Sequence, residues 1–191
     1  MTDQMNKPNQ VSTPSAVFIG FAGDDAEIRN EQRSALQAAL NAITNLPQTD
    51  HNYAVPTGIV LCFDFPMRTL EFVRRLGAHL RGSQWQLPAL RMGVHAATVI
   101  KQAGASDTTM TTGSMDGAMR VARLASTNQA LATPAFQVLA VQLLTKGSEH
   151  FRGPHEFIDR SGKPVTAFEI IPFPAHIANP ASRTLSQPGK K

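Results

Sequence analysis

Apolar and polar positions follow two different periods along this chain, and the places where the period changes divide it into elements. Val17-Phe-Ile-Gly-Phe-Ala22 is a short apolar run of the kind that forms a buried strand. Asp24-Asp-Ala-Glu27 follows as a capping-box pattern, and a helix is predicted from there to about Asn45. Ile28, Leu36, Ala39, Leu40 and Ile43 form its apolar stripe, with Glu31, Arg33 and Gln37 outside. Pro47 and the polar residues to Asn52 end it. Gly58-Ile-Val-Leu-Cys-Phe63 predicts a second buried strand. Phe65-Pro66 opens a helix with Met67, Leu70, Val73, Leu76 and Leu80 inward and Arg68, Glu71, Arg74 and Arg75 in water, closed by Gly82.

Leu87 to Ile100 predicts the third strand, and the alternation of Leu90, Met92 and Val94 implies one buried face. Residues 102–112 show no period and are assigned to a loop. Ser114 is placed as the cap of a helix running to about Ser126, and Gln129 to Ala132 as a short strand. Thr133-Pro134 combines a capping hydroxyl with proline at the first helical position, so a helix starts there and runs to Lys146, with Gly147 as its stop. Glu156–Asp159 and Pro164–Ile171 flank Arg-Ser-Gly-Lys and are assigned to a hairpin. This order predicts an α+β or α/β fold with helices on one face of a mixed sheet. One domain is expected over residues 16–171, between disordered segments at 1–15 and 172–191; the latter is a tail or linker.

Composition narrows the function classes. At 191 residues and 42% hydrophobic content the chain can bury one core. It has no apolar run of membrane-spanning length, and Met1 to Ser15 lacks the apolar stretch of a signal peptide. Cys62 is the single cysteine, so no internal disulfide forms; a reducing cytoplasm is the expected setting, and Cys62 is expected to be a small buried hydrophobe. Of the net charge of +4, three units belong to Arg183, Lys190 and Lys191. Residues 16–171 are nearly neutral. Arg74, Arg75 and Arg81 are the nearest thing to a basic cluster and are assigned to the solvated face of their helix, so nucleic-acid binding is not expected.

Two segments carry the most specific signal: Leu90-Arg-Met-Gly-Val-His-Ala-Ala-Thr-Val-Ile100 and Gly113-Ser-Met-Asp-Gly-Ala-Met-Arg-Val-Ala-Arg-Leu124. They resemble the LRIGIH-TG-V strand and the GD-VN-A-RL helix of class III adenylate/guanylate cyclase homology domains. Phe151-Arg-Gly-Pro and Lys163-Pro-Val-Thr-Ala-Phe-Glu-Ile resemble the closing LKG…PV-VYEV segment of that family. The resemblance implies a ferredoxin-like mixed β-sheet with helices packed on it, the α+β fold of the cyclase catalytic domain.

The family chemistry that this resemblance implies needs two carboxylates to hold two divalent ions, with donors aimed at the growing phosphate charge. The first carboxylate belongs to a FAD motif at the end of strand one, where Phe21-Ala22 is followed here by Gly23. The second begins the strand of GD-FLAVF, where Thr57 stands. Neither residue supplies a carboxylate. Asp24 and Asp25 are the fallback ligands after a register shift, although Glu27 makes them helix caps in the first instance. Asp64 lies roughly 23 Å along the strand from Thr57, at 3.3 Å per residue, and cannot substitute.

Asp116 falls at the base-selecting aspartate and Arg123 at the transition-state arginine. Met119 replaces the asparagine that orients the ribose, and Tyr53 falls near the base-selecting lysine. Asp116 as a helix cap and Arg123 as an interface arginine are the bland alternatives. His95 matches the histidine of the strand motif, and with no partner near it in sequence it is expected to be a packed strand histidine.

The expectation is therefore a catalytically inactive cyclase-like domain with a regulatory or protein-association role in signalling. It would form a homodimer, or a heterodimer with another cyclase-type domain. No cofactor is expected. The alternatives are an active adenylate or guanylate cyclase using Mg2+ or Mn2+, and a sensor that binds a nucleotide ligand through Asp116 and Arg123 without turnover.

Overall fold

Strands form where apolar residues run unbroken, and the longest such runs lie at the centre of one sheet. The computed structural model describes residues 11–12, 14–21, 30–43, 46–81, 89–96, 99–100 and 108–174. Its strands are β1 (Val11–Ser12), β2 (Ser15–Phe21), β3 (His51–Val55), β4 (Gly58–Phe63), β5 (Leu90–Ala96), β6 (Val99–Ile100), β7 (Gln129–Ala132), β8 (Phe151–Ile158) and β9 (Pro164–Ile170). The helices are α1 (Asn30–Ala42), α2 (Pro66–Arg81), α3 (Thr108–Ala122) and α4 (Pro134–Leu143), with a 3-10 turn at Gly147–His150. Seven strands form a sheet in the order β3-β4-β2-β5-β7-β9-β8, while β1 and β6 pair separately. All neighbours are antiparallel except β5 and β7, so the sheet is mixed. The unit β2-α1-β3-β4-α2-β5 has ferredoxin-like connectivity.

One face of this sheet carries the large apolar side chains. Val17, Ile19, Leu61, Phe63, Met92 and Val94 pack there against Leu36 and Leu40 of α1, Leu76 of α2 and Phe136 of α4. Each such side chain, fully buried, contributes about 1.5–3 kcal/mol. Among the described residues the second face is covered by α3, through Ala118 and Ala122 over Ala16, Phe18, Val60 and Cys62. Helices thus lie on both faces, where the element order had predicted one. For the same reason β5 is buried on both sides, not on the single face its alternation implied.

Gly93 makes this second layer possible. A Cβ there would lie 2.0 Å from the Ala118 carbonyl oxygen and 2.5 Å from the Ala122 nitrogen, so only glycine lets the helix approach.

Several boundaries differ from those the pattern implied. β3 was not foreseen as a strand. Its only signal is the pair Tyr53 and Val55, half-buried between exposed neighbours. Helix α3 starts at Thr108, inside the stretch assigned to a loop, because its first turns are Thr- and Met-rich and lack an apolar stripe. Thr133 caps α4 as expected, accepting from the Phe136 amide with Pro134 in the first turn. That helix ends at Leu143, however, and the left-handed residue beyond it is Lys146, with φ of 62°. Gly147 serves close packing instead, since a Cβ would lie 2.6 Å from the Val141 Cα.

Pairing and packing also reach beyond residues 16 and 171. Val11–Ser12 pairs with Val99–Ile100, and Phe173 seats on α2. The Arg74 guanidinium stacks 4.0 Å from the Phe173 ring centre and its Nε donates to the Ile171 carbonyl at 2.8 Å. Arg74 is therefore a half-buried clamp, not part of a solvated face, and burial holds its pKa down. The capping box at Asp24–Glu27 and the tail from Ala175 lie outside the described residues. Among the described residues no helix is long and apolar enough to cross a membrane.

Candidate functional site

The two strand ends singled out by the sequence come together. Gly20 of β2 pairs with Gly58 of β4, and the Pro56-Thr57 turn leads straight into Gly58. A Cβ on Gly20 would lie 3.0 Å from the Thr57 carbonyl oxygen, so Phe21 and Thr57 are neighbours at one end of the sheet. Asp64 sits beyond the other end of β4, where its amide donates to Asp50 Oδ2 and Asp50 pairs with Arg68.

The floor between the strand ends is filled by an aromatic ring. Phe18 is 2% exposed, and its ring lies over both glycines, 2.7 Å from a Cβ on Gly20 and 2.9 Å from one on Gly58. Phe21 and Thr57 offer one neutral hydroxyl between them. Among the described residues no group of three or more His, Cys, Asp or Glu converges to hold a metal. Gly23, Asp24 and Asp25 lie outside the described residues.

Helix α3 carries the remaining sequence candidates. Asp116 and Arg123 are both exposed, and the backbone bond from the Arg123 amide to the Met119 carbonyl extends helical geometry to Arg123. Seven residues apart, they lie on the same helical face about 10.5 Å along the axis. Because α3 begins at Thr108, Asp116 is well inside the helix and neither it nor Ser114 is the N-terminal cap. Met119 and Met115 are half-buried and pack with Tyr53 and Val55 against the cluster of Phe18, Val60 and Cys62. The positions aligned with the family's lysine and asparagine thus both join one apolar surface. Between Asp116 and Arg123, Arg120 is tied to Asp159 at 2.7 Å. Asp159 also accepts from Ser161 and Lys163, and these bonds hold its carboxyl well below the usual range.

His95 packs as the sequence suggested, but its partners come from other elements. Its Nδ1 is 2.9 Å from Thr133 Oγ1, so the strand histidine holds the cap of α4. Gly117 of α3 lies against its ring, where a Cβ would sit 2.4 Å from Cγ. Burial lowers the pKa of His95, and the same cause leads for His79 and His150. The unfolded chain therefore binds more protons than the folded one below the ordinary histidine value. Stability present above that value is lost as pH falls through the lower folded value. Urea denaturation between about pH 7 and pH 5 is expected to show this decline, and His95→Asn should flatten part of it. An unchanged slope in that variant would assign the decline elsewhere. Cys62 is buried beneath α3 and its thiol is pushed up to about 11, first by burial and then by Asp50 and Asp64, so it stays protonated and unreactive.

The sequence matches no protein-family model and no curated protein. Solved structures do resemble it. An adenylate cyclase from Trypanosoma brucei, solved in its monomeric state, superposes with a TM-score of 0.59 at 10% identity, covering 83% of this chain and 89% of that one. An adenylate/guanylate cyclase/hydrolase from Silicibacter pomeroyi gives 0.53 at 12% identity over 86% and 99%. An adenylyl cyclase from P. aeruginosa gives 0.53 at 11% identity over 85% and 95%. The mixed seven-stranded sheet with its four helices is thus the fold of the adenylate and guanylate cyclase domains.

Proposed function

We propose that this nucleotide cyclase-type domain acts by association and not by turnover. The observation that carries the reading is the apolar surface on the α3 side, where Tyr53 and Met119 pack against Phe18, Val60 and Cys62. The resemblance calls for a lysine and an asparagine at those two positions. A thioether cannot donate to a ribose oxygen, and a phenol lacks the ammonium group the family uses to select a base. Tyr53 and Val55 of β3 and Met115 and Met119 of α3 are each half-buried against that one cluster, and their partly exposed apolar atoms are the surface assigned to a protein partner. A second cyclase-type domain, identical or different, is the partner, and the role is regulatory. Asp116 and Arg123 remain on the exposed side of α3 as interface residues.

Purified protein incubated with ATP or GTP and Mn2+ is expected to form no cyclic nucleotide above a control without protein. Robust cAMP or cGMP formation would overturn the reading and direct attention to Asp24 and Asp25, whose replacement by asparagine should then abolish it. Calorimetric titration with the same nucleotides separates association from sensing. Saturable heat lost in an Asp116→Asn or Arg123→Ala variant would favour a nucleotide sensor.

A further inference from the structure

A cleft of about 470 Å³ opens between α1, the chain that follows it, β3 and α2. It lies on the sheet face opposite α3, away from the surface discussed above. Leu40, Leu61 and Phe72 lie buried beneath it, and half-buried Leu46 and Pro47 supply its accessible apolar lining. Its rim is built from amides. Asn52 Nδ2 donates to Gln37 Oε1 at 2.8 Å, and Gln37 Nε2 donates to Asn41 Oδ1 at 3.1 Å.

Three amides joined in a row have a direction. Whichever way the row is polarised, one end presents a donor and the other an acceptor to whatever lies in the cleft. None of the described residues lining the cleft is charged. A charged ligand would lose water there without gaining a counterion, which is unfavourable. The volume lies in the range of small-molecule sites, and its mostly polar, uncharged lining offers hydrogen bonds at the rim.

From this arrangement we infer that the cleft binds a small, neutral molecule bearing both a hydrogen-bond donor and an acceptor, as a carboxamide or a lactam does. Its apolar part lies on the half-buried Leu46 and Pro47, and its polar edge meets the amide row of Asn52, Gln37 and Asn41. The site is independent of whether the α3 face associates, senses or turns over nucleotide.

The test uses the whole 15N-labelled chain and watches the side-chain amide resonances of Gln37, Asn41 and Asn52. The neutral probes are nicotinamide, benzamide and uracil, and the charged counterparts of the first two are nicotinate and benzoate. At least one neutral probe is expected to shift those resonances saturably, with its carboxylate counterpart at least about tenfold weaker. Asn52→Leu and Gln37→Leu, both on the rim, should each weaken that binding about 2- to 10-fold while the melting temperature of the free protein stays unchanged. Absence of a saturable shift with all three neutral probes up to roughly 10 mM, about tenfold past a millimolar Kd, would overturn the inference. Equal binding of the carboxylates would overturn it too, as would undiminished binding in both variants.

Discussion

Replacing Gly93 by alanine is expected to destabilise the fold by about 3 kcal/mol and to loosen α3 from the sheet. The added methyl would lie 2.0 Å from the Ala118 carbonyl oxygen and 2.5 Å from the Ala122 amide nitrogen. Both are backbone atoms of one helix, so no rotamer change relieves the overlap and the whole of α3 has to move. Gly113, in the same helix, offers the control. It is exposed and a Cβ there meets nothing within 4 Å, so Gly113→Ala should stabilise by about 0.5–1 kcal/mol through helix propensity. Urea denaturation of the two variants should move the midpoint in opposite directions. Similar midpoints for both would mean that α3 does not sit against β5 as described.

Phe18→Ala is expected to cost about 3–5 kcal/mol, since it empties a fully buried ring from the floor between the two strand ends. The more telling result lies in its combination with the two glycines beneath the ring. A methyl on Gly20 meets the Phe18 ring at 2.7 and 2.8 Å and the Thr57 carbonyl only at 3.0 Å. A methyl on Gly58 meets the Ile19 carbonyl oxygen at 2.2 Å before it reaches the ring at 2.9 Å. Removing the ring should therefore make Gly20→Ala nearly harmless while leaving Gly58→Ala as damaging as before. A double-mutant cycle should give about 1–3 kcal/mol of favourable coupling for Phe18 with Gly20 and much less for Phe18 with Gly58. Equal coupling for the two pairs would contradict the placement of the ring. The prediction bears on function because this ring fills the floor between the strand ends to which the resemblance assigns the metal carboxylates.

How much could be seen in advance depended on the range of the interaction involved. The helix start at Thr133-Pro134 was legible because its cap closes within three residues, from Thr133 Oγ1 to the Phe136 amide. β2 and β4 were legible because an unbroken apolar run can only be buried. β3 escaped because its alternation of Tyr53 and Val55 lasts two periods and its outer neighbours are exposed. The beginning of α3 escaped because its threonines carry no apolar stripe. The setting of Arg74 is hidden from the sequence because nothing near it shows that Ile171 and Phe173 return to clamp it.

The candidate site divides along the same line. That Gly23 and Thr57 bear no carboxylate, and that Met119 and Tyr53 are neither asparagine nor lysine, follows from residue identity alone. That Tyr53 and Met119 share one apolar cluster, that Phe18 lies over Gly20 and Gly58, and that His95 holds the cap of α4 are facts of packing between distant segments. Side-chain chemistry is a property of each residue and can be read one position at a time. Which groups meet is set by strand register and by how closely a helix can approach a sheet. At Gly93 that approach depends on an absent methyl group, whose meaning appears only once α3 lies across β5.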